Sequence, residues 1–153
     1  DYAELGVELE VVHHSQFIDE LIENKKIEPK PWMDEDVTFH DPCYLGRHNN
    51  EYDAPRNVIQ SILRDGELKE MEQSKSESFC CGAGGGNMWY EVKTGDRINQ
   101  TRVKQAVETK AKTVAAACNF CNIMLEDGLK TTGNDEEVNI MDIAEMVSKG
   151  LNN

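Results

Sequence analysis

The five cysteines of this 153-residue chain fall into three groups. Cys43 stands alone, Cys80 and Cys81 are adjacent, and Cys118 and Cys121 form a C-x2-C pair. Thirty-six residues separate the first group from the second, and thirty-six more separate the second from the third. Thiolates are soft ligands that suit zinc and iron–sulfur clusters. The pattern therefore indicates a metal or redox site.

A glycine-rich loop follows the adjacent pair, and residues 80–86 read C-C-G-A-G-G-G. Neighbouring side chains of an extended chain point in opposite directions, so two adjacent cysteines reach one centre only if the backbone bends sharply. Glycine permits such bends because, without Cβ, it enters positive φ freely and lets the backbone approach a ligand. We expect four glycines to support the site: Gly82, Gly84, Gly85 and Gly86.

The residues alone leave the kind of centre open. A single C-x2-C pair also occurs in thioredoxin-like redox sites and in zinc knuckles. An ordinary zinc site or a cubane cluster takes four ligands, which leaves one of the five cysteines over. Five converging thiolates suggest an unusual cluster with a bridging or additional sulfur ligand. An odd number of cysteines disfavours a secreted disulfide framework, and reduced thiols fit an intracellular compartment.

Composition narrows the class of protein. Hydrophobic residues make up 39% of the chain and charged residues 29%, which is ordinary for one soluble globular domain. The formal charge of −13 repels phosphate backbones, so we expect no nucleic-acid partner. No apolar run approaches the length of a membrane span and no signal peptide opens the chain, which predicts a cytoplasmic protein with no direct membrane span. Because the first residue is Asp1, we expect a fragment of a longer protein.

Predicted strands alternate with predicted helices along the chain. The strands are expected at 8–13, 37–40, 67–71, 113–117 and 137–140, and the helices at 15–24, 53–66, 96–110, 119–130 and from 142 onward. This alternation predicts an α/β fold with a small parallel, Rossmann-like sheet and helices on both faces. Ligand sites in such folds lie beyond the carboxyl ends of the strands, where we place all three cysteine groups.

We divide the chain into two parts. Residues 1–36 form a strand–helix unit and a linker, and residues 37–153 carry the cysteines. The first unit resembles the strand and capped helix predicted from residue 137 onward. It therefore fits the end of a preceding repeat that packs on the same domain.

The stretches around the cysteines resemble the cysteine-rich CCG domain of heterodisulfide reductase subunits and their relatives. Those relatives include the iron–sulfur subunits of anaerobic glycerol-3-phosphate dehydrogenase, of glycolate and lactate oxidation, and of electron-transfer-flavoprotein-linked quinone reductases. The matching stretches are residues 40–47 (HDPCYLGR), 80–86 (CCGAGGG) and 118–121 (CNFC). Two features depart from the family. Position 119 is asparagine, where proline is common, and this sequence contains one CCG domain, where the family usually carries two in tandem.

The resemblance implies a non-cubane [4Fe-4S] cluster held by Cys43, Cys80, Cys81, Cys118 and Cys121. In heterodisulfide reductases such clusters cleave a disulfide, and in other relatives they pass electrons between a flavin partner and a quinone pool. Some CCG domains bind zinc instead, so the alternative is a structural zinc-binding interaction domain without redox activity.

The resemblance also implies a larger assembly. The chain would be the C-terminal CCG repeat of an Fe–S oxidoreductase and inactive alone. Its partners would be other domains or subunits of an Fe–S/flavin oxidoreductase, including electron-transfer flavoprotein or a membrane quinone-linked subunit. Association with the membrane would then come through the parent protein.

Three residues near Cys43 are candidates for support behind the ligands. His40 and His48 suit proton handling, and Arg47 suits neutralising a negatively charged cluster. Hydrogen-bonded structural histidines and a surface ion pair are the alternatives. We expect Met88, Trp89 and Tyr90, which follow the glycines, to pack in the core.

Overall fold

The residues that the structure describes form a sheet of four short parallel strands. The computed structural model describes residues 2–91 and 94–152. The strands are β1 (Val37–His40), β2 (Leu68–Lys69), β3 (Thr113–Ala116) and β4 (Asn139–Asp142), and their spatial order is β2-β1-β3-β4. Val37 pairs with Leu68 on one side and with Thr113 on the other, and Thr113 pairs with Asn139. The predicted parallel α/β sheet is confirmed.

In the described ranges, five α-helices cover the two faces of the sheet. They are α1 (His14–Glu23), α2 (Asp53–Ile62), α3 (Ile98–Glu108), α4 (Asn119–Thr132) and α5 (Ile143–Leu151). Helices α1, α2 and α5 pack together on one face, and α3 packs on α4 on the other. A hydrophobic core lies on each face of the sheet, and successive β3 residues point alternately to the two. Ala115 lies in the core under α1, α2 and α5, and Val114 lies in the core under α3 and α4. The expectation of helices on both faces is confirmed.

The predicted strand at 8–13 is wrong. These residues form no strand, and Leu9 and Val11 are 58% and 82% exposed. Their alternating pattern resembles a strand, but no neighbouring strand among the described residues pairs with them, and a strand depends on its cross-strand partners. The resemblance of this segment to the β4–α5 unit therefore extends only to the helix.

Helix α1 begins at His14, one residue before its predicted start at residue 15. His13 is the N-cap, since its Nδ1 accepts a hydrogen bond from the Ser15 amide at 3.2 Å. The Gln16 side chain accepts from the His13 amide at 3.1 Å and completes a capping box. Helix α1 packs against α2 and α5. The division of the chain at residue 36 stays a prediction.

The other elements follow the predicted order with shifted ends. Strand β2 has only two residues, and β4 begins two residues later than expected. Helix α4 ends at Thr132, and Gly133, with a φ of +71°, forms its left-handed C-cap. In the described part of the chain, no helix has both the length and the apolar character that crossing a bilayer requires.

Candidate metal centre

Two strands deliver cysteines to one edge of the sheet. Strand β1 ends at His40 and leads into Cys43, and β3 leads through Ala117 to Cys118, the N-cap residue of α4. Because β1 and β3 are adjacent and parallel, their carboxyl ends lie side by side. A short π-helical turn, Tyr44–His48, follows Cys43. The strand ends thus bring two cysteine groups that are distant in sequence to the same place.

The Cys80–Cys81 loop reaches the same edge. A small cavity beside the end of β1 is lined by Cys43, Cys80 and Cys81, together with His40 and Arg47. The predicted site lies at the carboxyl ends of the strands, and the structure places these three cysteines there.

The buried centre of the site joins three separate segments. The Cys121 thiol donates to the Cys81 sulfur at 3.4 Å, and these two sulfurs and a ring nitrogen of His40 lie within 4.8 Å of one another. All three residues are at most 4% exposed. Two thiols and an imidazole make a donor set that suits zinc or iron. The residues therefore fit a thiolate-bound metal or cluster.

The hydrogen bonds among the thiols spread their pKa values apart. The pKa of Cys81 is lowered to about 4, chiefly because Cys121 donates to its sulfur and also because His40 does. The pKa of Cys118 is lowered to about 6, again chiefly by a hydrogen bond from Cys121. Cys121 holds the proton between these two sulfurs, which raises its own pKa. Two of the sulfurs are thus poised as thiolates, the form that binds metals.

Cys80 has a different environment. Burial raises the pKa of its thiol, although the Gly82 amide donates to the sulfur at 3.2 Å. Both Cys80 and Cys118 are half-buried, so the difference between them comes from their partners rather than from their exposure.

Three glycines adopt the backbone geometry that the loop requires. Gly82, Gly85 and Gly86 have φ values of +89°, +67° and +77°. A Cβ on Gly82 would lie 2.9 Å from the Cβ of Ile98, so this position is crowded as well. Gly84 has neither a positive φ nor an atom near its missing Cβ. The loop geometry therefore demands glycine at three of the four predicted positions.

The predicted supporting residues separate in the structure. His40 lies against Cys81, whereas Arg47 lines the cavity and donates to the Ser78 carbonyl oxygen at 2.6 Å. His48 is exposed, with its ring centroid 4.8 Å from that of Tyr44. The structure thus brings His40 and Arg47 to the cysteines, and His48 is not among the residues that line the cavity.

The core position expected for the aromatic residues after the glycines is wrong. Trp89 and Tyr90 are 84% and 63% exposed, and of the three predicted residues only Met88 packs partly against the α3–α4 core. The segment Gly84–Trp89 coils at the surface instead of continuing an element that faces the core.

Arg102 was not predicted as a site residue from the sequence. It is fully buried on α3, and its Nε donates to Nδ1 of His40 at 2.9 Å. A signal was available, since Asn99, Arg102, Val103 and Ala106 follow the i, i+3, i+4, i+7 spacing of the inward face of α3. Two polar residues on that face mark a place where the core is not purely apolar.

Comparison with known proteins agrees with the resemblance in the motifs. Residues 37–126 match the family model of the cysteine-rich domain, CCG. The chain is 40% identical to the probable iron-sulfur-binding oxidoreductase FadF of Bacillus subtilis, with 99% of this chain and 21% of that protein aligned. It is 37% identical to the EtfAB:quinone oxidoreductase of Syntrophomonas wolfei, over 99% of this chain and 22% of that protein.

A third relative shows the same likeness. The chain is 39% identical to a subunit of the dihydromethanophenazine:CoB–CoM heterodisulfide reductase of Methanosarcina barkeri, over 96% of this chain and 36% of that protein. Across the three relatives the chain spans only 21% to 36% of their length. The matched residues cover more than half of the chain and contain all five cysteines. The chain therefore belongs to the CCG cysteine-rich domain family.

Proposed function

We propose that this chain is an iron–sulfur redox module of a multi-centre oxidoreductase. The observation that carries the proposal is the buried meeting of Cys81 and Cys121 at 3.4 Å, with His40 beside them. Relatives named as iron–sulfur-binding oxidoreductase, quinone oxidoreductase and heterodisulfide reductase support the redox role.

All five cysteines would hold the cluster, which we propose to be a non-cubane [4Fe-4S] centre. Cys43 and Cys80 line the cavity beside Cys81, and Cys118 is close enough to Cys121 to share its proton. A bound cluster supplies a site that gains and loses single electrons. This chain's own residues position the sulfurs, favour their thiolate forms and bury the innermost two.

A structural zinc site is the second candidate. The grouping of His40, Cys81 and Cys121 favours it, because two thiolates and an imidazole are three of the four ligands of a common zinc site. Cys118 would supply the fourth ligand. That arrangement leaves Cys43 and Cys80 without a role, which is why we prefer the cluster.

The module would work with partners rather than alone. A reductase needs further centres to bring electrons from a donor, and the five cysteines account for only one centre. We propose other domains or subunits of an Fe–S/flavin oxidoreductase as neighbours, including an electron-transfer flavoprotein or a membrane quinone-linked subunit. The name of the Syntrophomonas wolfei relative supports this choice. Membrane association would then come through such a partner.

Anaerobic reconstitution tests the proposed function. The protein is incubated with ferrous iron and zinc in equal amounts, in the presence of sulfide. The bound metals are then quantified, and the protein is examined by electron paramagnetic resonance. We expect iron and sulfide in equal amounts and a paramagnetic signal in one oxidation state. Gln60→Ala, which changes an exposed residue of α2, serves as a control and should bind the same metal as the wild-type protein. One zinc per chain with no iron would select the structural alternative.

A further inference from the structure

Arg102 is a buried cation whose hydrogen-bond partners among the described residues are all neutral. Its side chain is 0% exposed, and its Nε donates to His40 Nδ1 at 2.9 Å. Its Nη1 donates to the Gln73 carbonyl oxygen at 2.8 Å and to Gln105 Oε1 at 2.7 Å, and its Nη2 donates to Ser78 Oγ at 3.2 Å. Every one of these acceptors lacks a formal charge.

No carboxylate in the described part of the chain forms an ion pair with Arg102. The nearby Asp41 is held by Arg56, through Nη1–Oδ1 and Nη2–Oδ2 distances of 2.7 and 3.0 Å. A buried charge without a counter-charge is costly, and the cost appears here as a pKa of Arg102 lowered by burial to about 10. Asp41 opposes this lowering most strongly, and the cysteine site opposes it after Asp41. Because Arg56 already holds Asp41, a negatively charged centre at Cys81, which His40 joins to Arg102, would supply the remaining counter-charge.

His40 connects this cation to the sulfur. Because an arginine Nε–H can only donate, Nδ1 of His40 must accept, and the proton of the neutral ring lies on Nε2. The remaining nitrogen, Nε2, is the one that can donate towards the Cys81 sulfur, and a ring nitrogen of His40 lies within 4.8 Å of that sulfur. Because Nδ1 accepts and therefore carries no proton, the ring is neutral. The imidazole presents an N–H, and not a lone pair, to the sulfur.

We propose that Arg102, acting through the Nε2–H of His40, sets the reduction potential of the centre bound at Cys81. The proposal rests on the proposed function of the site. A positive charge and a hydrogen bond to a ligand sulfur both favour the more negative, reduced state of a cluster, which raises its potential. In this arrangement His40 is a positioning residue and not a metal ligand.

The test is a redox titration of the anaerobically reconstituted protein, followed by electron paramagnetic resonance. We expect Arg102→Gln to shift the one-electron equilibrium about tenfold towards the oxidised state, which corresponds to about 59 mV lower potential. Arg64→Gln removes the same charge from an exposed arginine before β2 and should shift the potential far less. His40→Leu should lower the potential, and His40→Gln, whose amide N–H can replace Nε2–H, should restore part of it.

Nitrogen-15 NMR of the metal-free protein supplies a readout that needs no cluster. We expect wild-type His40 as the Nε2–H tautomer, and we expect this preference to be lost in Arg102→Gln. An Nδ1–H tautomer in the wild type would overturn the proposal, as would a wild-type potential in a folded, iron-loaded Arg102→Gln protein. Should Arg102→Gln not fold, the wild-type tautomer and the two His40 variants decide. A wild-type protein that binds no iron refutes the proposed function and, with it, the role of Arg102 in the reduction potential. The tautomer of His40 then still tests separately whether Arg102 fixes the proton on Nε2.

Discussion

Asp41 and Arg56 form a buried bidentate ion pair, with Nη1–Oδ1 and Nη2–Oδ2 distances of 2.7 and 3.0 Å. Oδ2 of Asp41 also accepts from the Lys75 amide at 2.8 Å, and Arg56 Nε donates to Glu70 at 2.7 Å. This network joins the turn before Cys43 to α2 and to the chain that leads into the glycine loop. It therefore fixes two of the cysteine-bearing segments relative to each other.

Removing the buried carboxylate should be costly. We expect Asp41→Asn to lower the free energy of unfolding by about 2–3 kcal/mol, somewhat less than a fully uncompensated charge because Glu70 still contacts Arg56. Glu70→Gln, at a side chain that is 39% exposed, should cost less than about 1 kcal/mol. Urea unfolding of the metal-free protein measures both. Equal losses for the two variants would contradict the central role of Asp41.

The crowded glycine should be more sensitive than the open one. Gly82→Ala forces a side chain into a positive φ and against Ile98, so we expect a loss of about 1–2 kcal/mol and weaker iron retention. Gly84→Ala is the matched control, since its Cβ would meet open space at an ordinary φ. Thermal unfolding and iron content after gel filtration provide the comparison. If Gly84→Ala loses as much iron as Gly82→Ala, the loop is not shaped by these contacts.

The thiols of the metal-free protein should differ in the pH at which they react. A lowered pKa means that the thiolate forms at lower pH, so alkylation of Cys118 should rise through about pH 6. Cys80, whose pKa is raised by burial, should react only at more alkaline pH. Peptide mapping by mass spectrometry after brief iodoacetamide treatment follows each cysteine.

A variant shows whether Cys121 causes the Cys118 shift. Cys121→Ala removes the hydrogen bond that lowers the pKa of Cys118, so its alkylation midpoint should move to higher pH. The lowered pKa of Cys118 also makes the free energy of unfolding depend on pH. The contribution of the Cys118 thiolate is complete above the pKa of the unfolded thiol and is lost as the pH falls through about 6. An unchanged midpoint in Cys121→Ala would show that another group lowers the pKa of Cys118.

Much of the fold could be predicted because the signals are local. Strand β1 combines β-branched and aromatic residues with a following proline, and its predicted bounds agree with the structure. Asp142 was predicted to open the last helix, and its side chain accepts from the Ala144 amide at 2.8 Å. The position of the cysteines at the carboxyl ends of the strands followed from the order of these elements.

Long-range contacts explain what could not be predicted. The strand expected at 8–13 failed because pairing depends on neighbours that a local pattern does not reveal. Arg102 and His40 are 62 residues apart in sequence, so the residues around either of them do not predict the hydrogen bond between them. Trp89 has a large apolar side chain of the kind usually found in a core. Its 84% exposure depends on the direction of the backbone after the glycine turn at the sheet edge.

The most direct test of the account is the iron content of five single Cys→Ser variants reconstituted anaerobically beside the wild type. The variants change the proposed ligands one at a time: Cys43, Cys80, Cys81, Cys118 and Cys121. We predict about four iron atoms per wild-type chain, as a [4Fe-4S] centre requires. Each variant should lose iron or change its paramagnetic signal. Wild-type iron content and an unchanged signal in Cys43→Ser or Cys80→Ser would contradict a cluster held by all five cysteines.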